Sequence, residues 1–177
     1  HDGIMRDIFK NYQWMTDPKV AGVGAFGDLG THVLDLLLWF FSDVESVSAT
    51  FTKVYNQYPN CEESGEALIK FKSGLIASIA AGWIDIAQPY TIFVSGTKAH
   101  ARTTNEKLII NEDKDGKKIE RIEENLPETL PHAFDLFLNS LIDNNTKNLV
   151  TPSEAALRSS IMESIYQSEK EKKWINI

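Results

Sequence analysis

The chain has 177 residues, of which 42% are hydrophobic and 24% charged, and its formal net charge is −7. These values are typical of one well-packed globular domain, and the acidic balance argues against nucleic acid as a partner, because phosphate binding requires a basic surface. The longest apolar run, residues 33–41, is short for a membrane span, no signal peptide is visible, and the single cysteine, Cys61, excludes an internal disulfide. We therefore expect a cytoplasmic protein that binds neither membranes nor nucleic acids.

The first section of the chain, to about residue 41, is predicted to be an irregular lead-in and a glycine-rich loop that ends in a helix. The glycines between residues 22 and 30 would let the backbone approach a neighbouring group closely. The apolar side chains that follow recur at helical spacing, which is typical of a stripe that faces the core: Leu34, Leu37, Leu38 and Phe41.

The second section, from residue 44 to about residue 121, is predicted to form β-strands. Residues 46–52 alternate between polar and apolar side chains, which is the period of a strand. Tight-turn sequences flanked by strand-like segments predict consecutive hairpins at Ser73-Gly74, at residues 95–97 and at residues 113–116. Hairpins in succession favour a largely antiparallel sheet with one face free to pack on helices.

The third section is predicted to be helical. Pro131 can begin a helix with an apolar stripe, and Thr151-Pro152-Ser153-Glu154 is typical of a capped helix start with Thr151 as the N-cap. We therefore predict an α+β fold for a single domain of residues 1–177. Its main element is a largely antiparallel open β-sheet with helices packed on one face.

The strand predicted at residues 75–84 is apolar on both sides, a pattern that is typical of strands buried on both faces. Helices can cover only one face of the predicted sheet. The other, open face is therefore predicted to be a subunit interface. The alternative is that loops of the same chain shield this strand from solvent.

Asp28 and His32 are the strongest candidates for chemistry. They lie four residues apart at the start of the predicted helix, a spacing that puts a carboxylate and an imidazole on one face. The side chain of histidine can transfer protons near neutral pH. Two alternatives stay open: His32 as a structural histidine bonded to backbone, and Asp28 as an N-cap that accepts from the N–H groups of Gly30 and Thr31.

Other chemistries find less support in the sequence. A nucleophile elbow, Gly-x-Ser-x-Gly, does not occur, and a zinc site would need ligands from distant segments without a spacing motif, so we predict no metal site. The Gly-x-Gly-x-x-Gly spacing of residues 22–27 follows no strand of a βαβ unit, so we do not interpret it as a dinucleotide-binding loop. The acidic residues Glu62, Glu63 and Glu66 are interpreted as a solvated loop.

Several segments match a family pattern. Residues 24–32 are Gly-Ala-Phe-Gly-Asp-Leu-Gly-Thr-His, and residues 35–39 continue with Asp-Leu-Leu-Leu-Trp. Residues 67–78 form a strand–turn–strand pattern, and residues 152–156 and 173–177 match a last helix and a terminal strand. On these residues, the chain resembles the C-terminal, substrate-side domain of the Gfo/Idh/MocA dehydrogenases over nearly its whole length.

The resemblance implies hydride transfer between a secondary alcohol, such as a sugar or polyol, and a nicotinamide cofactor, NAD or NADP. As the hydride leaves, the hydroxyl proton must go to a base. The resemblance assigns this role to His32, with Asp28 beside it in the substrate pocket. Trp14, Tyr12 and Thr31 are the substrate-binding candidates, and the glycine-rich loop is expected to approach the nicotinamide side of that pocket.

The resemblance also implies what this chain does not include. In that family an N-terminal nucleotide-binding domain holds most of the cofactor, and a lysine of its Glu-Lys-Pro motif completes the site. We therefore expect the chain alone to be inactive. Subunits of the family pair through the open sheet face, which agrees with the interface predicted above and implies a homo-oligomer. The alternative function is a non-catalytic oligomerisation or ligand-binding module of the same fold.

Overall fold

The computed structural model describes residues 13–56, 58, 60–85, 91–104 and 107–177. These residues fall into two compact units: unit 1 within His1–Ala87 and Val150–Ile177, and unit 2 within Gln88–Leu149. The helices are a short 3-10 helix at Gln13–Thr16, α1 (Pro18–Ala21), α2 (Ala25–Phe40), α3 (Ala133–Asp143) and α4 (Pro152–Glu171). The strands are β1 (Val44–Thr52), β2 (Ser64–Phe71), β3 (Ile76–Gly82), β4 (Phe93–Ser95), β5 (Ala99–Thr104), β6 (Lys107–Lys114), β7 (Lys117–Glu123) and β8 (Ile175–Asn176).

Unit 1 contains a four-stranded antiparallel sheet in the order β3-β2-β1-β8. Val47 of β1 pairs with Ile69 of β2, and Ala67 of β2 pairs with Ile79 of β3, so these side chains share one face. Both α2 and α4 pack on that face. The buried cluster between helices and sheet includes Phe26, Leu34, Ile161, Ile165, Val47, Ile69, Phe71 and Ile79. The predicted arrangement of helices on one face of an antiparallel sheet is confirmed in this unit.

The opposite face of the unit 1 sheet is open and carries both apolar and polar residues. Along β3 the core-facing residues are Ala77, Ile79 and Ala81, and the outward residues are Ile76, Ser78 and Ala80. Ile76 exposes 67% of its surface, and Leu68 of the neighbouring strand exposes 46%. The two-sided apolar pattern of residues 75–84 therefore places isoleucine and alanine side chains on the open face.

Unit 2 contains a second antiparallel sheet, in the order β4-β5-β6-β7, together with α3. The predicted turns join β2 to β3, β4 to β5 and β6 to β7 as antiparallel neighbours, so the hairpins and the α+β class are confirmed. The described strands form two sheets, whereas a single sheet was expected. Turn residues specify only the pairing of the two strands that they connect, and the joining of successive hairpins depends on contacts distant in the sequence.

The helices of the third section begin at or near their predicted positions. At the start of α4, the Thr151 hydroxyl accepts from the Glu154 N–H at 3.2 Å, and the Glu154 carboxylate accepts from the Thr151 N–H at 2.7 Å. This reciprocal pair is the predicted capping box. The other helix, α3, begins at Ala133 rather than Pro131, with His132 as its N-cap.

The start of α2 is capped by a residue distant in the sequence. Gly24, at the N-cap position, has no side chain, and Glu62 supplies the acceptors. The Glu62 Oε1 accepts from the backbone N–H groups of Gly24 (2.9 Å) and Phe26 (3.2 Å), and the Glu62 backbone oxygen accepts from the Ala25 N–H (3.0 Å). The hydroxyl group of Tyr166 on α4 donates a hydrogen bond to the same Oε1. We call this arrangement, which ties α2 to α4 and to the start of β2, the Glu62 junction.

Two glycines are required by the Glu62 junction. A Cβ at Gly24 would lie 2.5 Å from Glu62 Oε2, and a Cβ at Gly27 would lie 2.6 Å from the Tyr166 hydroxyl oxygen. Both distances are far shorter than van der Waals contact, so a larger residue would displace the carboxylate or the tyrosine. At these two positions the close approach permitted by glycine is to Glu62 and Tyr166, within unit 1. The approach of this loop to a nicotinamide-side pocket stays a prediction.

Residues Pro18–Phe40 together are long and apolar enough to cross a membrane, judged by length and composition alone. This segment is longer than the apolar run recognised in the sequence. A core helix of a globular protein passes the same test. Gly22 ends α1 with a φ of 83°, and Phe26 and Leu34 of α2 are fully buried in the unit 1 core. Core packing therefore accounts for Phe26 and Leu34, whereas Trp39 and Phe40 at the end of α2 are exposed.

The Glu62 junction predicts a pH dependence of stability. Burial, followed by the hydrogen bond to the Glu62 carboxylate, raises the pKa of Tyr166 well above its ordinary value. The folded state therefore keeps this phenol protonated where a tyrosine of the unfolded chain ionises, at about pH 10. The stabilisation is complete below about pH 10 and is lost as the pH rises further. We expect urea denaturation to show a larger fall in unfolding free energy between about pH 9.5 and 11.5 for wild type than for Tyr166→Phe.

The matched control for this prediction is Tyr55→Phe. Tyr55 exposes 51% of its surface, so removing its hydroxyl should leave the pH dependence of stability as it is in the wild type. A Tyr166→Phe variant that lost as much stability as the wild type over the same pH interval would contradict the prediction. In that case the junction would not hold the Tyr166 proton.

Candidate functional site

Helix α2 presents Asp28 and His32 on the side opposite to the core. The helix begins at Ala25, so Asp28 lies in its first turn and His32 lies one turn later. Phe26 and Leu34 of the same helix are fully buried against the sheet, which fixes the rotation of α2 about its axis. Asp28 is partly buried, and His32 is exposed. A carboxylate and an imidazole therefore share the outer face of α2 in unit 1.

The two structural alternatives for these residues do not describe the observed site. Gly24 is the N-cap of α2, and the Asp28 N–H donates to the Gly24 carbonyl oxygen at 3.0 Å, so Asp28 lies within the helix and does not cap it. His32 is exposed, whereas a core-edge histidine bonded to backbone would be buried. Within the described part of the chain, the His32 imidazole has no hydrogen-bond partner.

Asp28 is bonded to Trp83, the residue that follows β3. The Trp83 Nε1–H donates to Asp28 Oδ2 at 3.0 Å. The tryptophan exposes only 5% of its surface and packs in a buried cluster with Ala25 and Cys61. The Cys61 thiol donates to the Thr16 carbonyl oxygen at 2.8 Å, and burial raises the pKa of this thiol. No local sequence pattern predicts the Trp83 contact, because 55 residues separate its partners.

Arg158 of α4 contacts the outer face of α2. Its Nη1 donates to Thr31 Oγ1, and its Nε lies 3.6 Å from Asp35 Oδ1. The Arg158 side chain is 28% exposed, so this contact is partly shielded from solvent. Thr31, a predicted substrate-binding residue, therefore has its hydroxyl oxygen engaged by an arginine. No local sequence pattern predicts the contact of Arg158 with Thr31, because 127 residues separate them.

The aromatic residues near the candidate site lie on two segments of unit 1. Tyr12 lies outside the described residues. Trp14 lies in the 3-10 helix and exposes 54% of its surface. Trp39, near the end of α2, exposes 72% and stacks on Phe40 with 5.7 Å between the ring centroids. Unit 1 therefore carries exposed aromatic surface both on α2 and on the segment before it.

The interpretation of the acidic residues as a solvated loop is wrong for Glu62 and Glu63. Glu63 exposes 2% of its surface, and its Oε2 accepts from three consecutive backbone N–H groups, those of residues 54–56, at 2.7, 2.7 and 3.2 Å. Glu62 holds the start of α2 through the junction described above. Of the three acidic residues, Glu66 is the exposed one. Buried carboxylates need hydrogen-bond donors, and the donors here come from segments that only the fold brings near.

The start of α2 does not fit the pyrophosphate of a dinucleotide. Such a group needs free N–H groups at a helix N-terminus. The N–H groups of Gly24 and Phe26 already donate to Glu62, and the negative charge of that carboxylate would repel a phosphate. Among the described residues, no group of three or more His, Cys, Asp or Glu side chains could hold a metal ion. The outer face of α2 carries the titratable side chains of Asp28 and His32.

Comparisons with known proteins agree with this architecture. The family model of the GFO/IDH/MocA C-terminal domain matches residues 2–102. Oxidoreductase P35 of Formosa agariphila is 37% identical over 62 residues, which cover 35% of this chain and 18% of that protein. The sequence match and the family model thus both point to oxidoreductases.

Solved structures share the fold over nearly the whole chain. A protein from Thermotoga maritima has a TM-score of 0.77 at 19% identity, and the match covers 92% of this chain and 50% of that one. Levoglucosan dehydrogenase in complex with NADH and L-sorbose has a TM-score of 0.73 at 17% identity, covering 93% and 52%. The chain spans about half the length of the solved structures that it matches. With the family model matching more than half of its residues, the chain belongs to the Gfo/Idh/MocA oxidoreductase family and carries its C-terminal domain.

Proposed function

We propose that this chain is the substrate-binding half of an oxidoreductase that transfers hydride between a secondary alcohol of a sugar or polyol and a nicotinamide cofactor. The observation that carries the proposal is the outer face of α2. There the His32 side chain is exposed, its imidazole has no hydrogen-bond partner among the described residues, and it lies one turn from Asp28. A histidine that neither packs in the core nor bonds to a neighbour is free to meet a ligand.

In the proposed reaction, His32 and Asp28 handle the transfer of the substrate's hydroxyl proton. Oxidation of a secondary alcohol removes a hydride from the carbinol carbon and a proton from the hydroxyl group. The nicotinamide, when bound, takes the hydride. His32 accepts the hydroxyl proton as the general base and returns it in the reverse reaction. Asp28 accepts a hydrogen bond from the protonated imidazole or from a second substrate hydroxyl, and its other carboxylate oxygen is held by Trp83.

A sugar or polyol suits the surface of unit 1. Asp28 and Asp35 place carboxylate acceptors on the outer face of α2, and a substrate with several hydroxyl groups offers donors to both. Trp14 and Trp39 are exposed aromatic side chains, and an aromatic face packs well on the C–H face of a sugar ring. Levoglucosan dehydrogenase, whose fold this chain shares, forms a complex with L-sorbose. These features support a polyhydroxylated substrate.

We infer that NAD or NADP binds mainly to a nucleotide-binding domain outside this chain. Levoglucosan dehydrogenase binds NADH, and this chain spans about half of that structure. In addition, Glu62 occupies the N–H groups at the start of α2 that a pyrophosphate would need. The chain alone is therefore expected to be inactive. Activity is expected only in a protein in which such a domain accompanies this chain, which we call the longer protein.

We also infer that subunits pair through the open face of the unit 1 sheet. Leu68 and Ile76 expose apolar side chains there, and exposed apolar residues on an otherwise ordered sheet face are typical of protein interfaces. Glu66 and Lys70 lie on the same face of β2, so charged residues accompany the apolar ones, as is common at interface rims. This arrangement supports a homo-oligomer.

The base assignment predicts a large effect of His32→Ala in the longer protein. Removal of the proton acceptor should lower kcat about 10²–10⁴-fold, which is the usual contribution of general acid–base catalysis. Because His32 is exposed, the variant should keep the wild-type melting temperature. The measurement is steady-state reduction of NAD and of NADP with a panel of sugars and polyols.

His100→Ala is the control for the His32 variant, since His100 is an exposed histidine on β5 of unit 2. This control should turn over substrate at a rate within a few-fold of the wild type. If His32→Ala did the same, the assignment of His32 as the base would be wrong. The chain would then be better described as a binding or assembly module.

The interface inference predicts that Leu68→Glu dissociates the oligomer. A charge at the centre of a buried apolar contact would lose its hydration without gaining a partner. We expect light scattering coupled to size-exclusion chromatography to give the mass of a monomer for this variant and of an oligomer for the wild type. Leu157→Glu is the matched control, because Leu157 on α4 has nearly the same exposure (47%) as Leu68 (46%). A wild type that elutes as a monomer would contradict the inference.

A further inference from the structure

The hydrogen bond between Trp83 and Asp28 joins the edge of the sheet to the candidate site. The Trp83 Nε1–H lies 3.0 Å from Asp28 Oδ2, and the indole is 5% exposed. A buried indole N–H requires an acceptor, and an ionised carboxylate is a stronger acceptor than a neutral oxygen. The sheet thus directs a fixed donor at the carboxylate that lies one turn from His32.

The indole is held in place from several sides. The Trp83 backbone N–H donates to the Glu63 carbonyl oxygen at 2.9 Å, and Glu63 is itself buried. The Tyr58 ring packs edge-on against the indole, with 6.4 Å between centroids and an interplanar angle of 89°. Ala25, in the first turn of α2, lies in the same buried cluster. The position of the N–H donor is therefore set by packing before any ligand binds.

We propose that Trp83 is a positioning residue that acts through Asp28. This inference rests on the proposed function of Asp28 and His32. By engaging Oδ2, the indole limits rotation of the carboxylate about its terminal bond, so that Oδ1 keeps one position relative to His32. Within the described residues Oδ1 has no hydrogen-bond partner, which leaves it for the imidazole or for a substrate hydroxyl.

A positioning role and a packing role predict different results in a double-mutant cycle on the longer protein. The variants are Trp83→Phe, which keeps an aromatic ring but removes the N–H, Asp28→Ala, and the two together. If Trp83 acts through Asp28, Trp83→Phe lowers kcat/KM about tenfold in the wild-type background and has little effect once Asp28 is alanine. If Trp83 only packs, the same fold-change appears in both backgrounds, and the inference is overturned.

The control substitution is Trp174→Phe, which changes an exposed tryptophan (48%) near the C-terminal strand and should leave kcat/KM unchanged.

A spectroscopic measurement tests the hydrogen bond between Trp83 and Asp28 without reference to turnover. In a protein labelled with ¹⁵N-tryptophan, the indole signal that disappears in Trp83→Phe should shift on Asp28→Ala, while the Trp174 signal should not. An unmoved Trp83 signal would overturn the inference. If Trp83→Phe fails to fold, the test is whether the Trp83 indole signal shifts in the Asp28→Ala spectrum. The signal is then assigned from its nuclear Overhauser contacts to side chains of the buried cluster.

Failure of this inference is distinguishable from failure of the proposed function. If the proposed function is wrong, His32→Ala retains its activity whatever the indole spectrum shows. If only the positioning role is wrong, His32→Ala is impaired, but the effects of Trp83→Phe and Asp28→Ala on kcat/KM simply multiply. The His32→Ala kinetics and the double-mutant cycle therefore test the catalytic role of His32 and the positioning role of Trp83 separately.

Discussion

The Glu62 carboxylate at the start of α2 is the interaction on which the rest of the site depends. Its Oε1 accepts from the N–H groups of Gly24 and Phe26 and from the hydroxyl of Tyr166. A negative charge is favourable there, because the helix dipole places positive charge at a helix N-terminus. One oxygen thus determines where α2 begins and how it meets α4. Asp28, in the first turn of the same helix, takes its position from this junction.

Helix α2 has a core face and an outer face, and packing of the first fixes the direction of the second. Phe26 and Leu34 are buried against the sheet, so residues on the opposite side point away from the core. Trp83 and Arg158 then hydrogen-bond to side chains of that outer face and restrain it. The His32 imidazole has no hydrogen bond within the described residues, which suits the proposed base, because it must meet a ligand while its surroundings stay rigid.

The features that could be predicted from the sequence have local determinants. The helix stripe, the hairpin turns and the Thr151 capping box depend on residues within one turn or one hairpin of each other. The contacts that were missed join residues 38, 55 and 127 positions apart: Gly24 with Glu62, Asp28 with Trp83, and Thr31 with Arg158. A glutamate in an acidic run has the same local pattern whether it is solvated or buried. Only the fold brings N–H donors to Glu62, and for the same reason the division of the strands into two sheets could not be predicted from their turns.

The Gly-x-Gly-x-x-Gly spacing of residues 22–27 shows that one pattern serves two kinds of helix start. In a dinucleotide-binding loop the glycines keep N–H groups open to a pyrophosphate. Here the same freedom admits Glu62 and Tyr166, which would collide with a Cβ at Gly24 or Gly27. A carboxylate and a phosphate are both anions that need the same donors, so they exclude each other at one helix start. Under the proposed function, two tasks are therefore carried out by different residues. Helix α2 supplies the side chains that accept and return a proton, and other residues bind the phosphates of the nicotinamide cofactor.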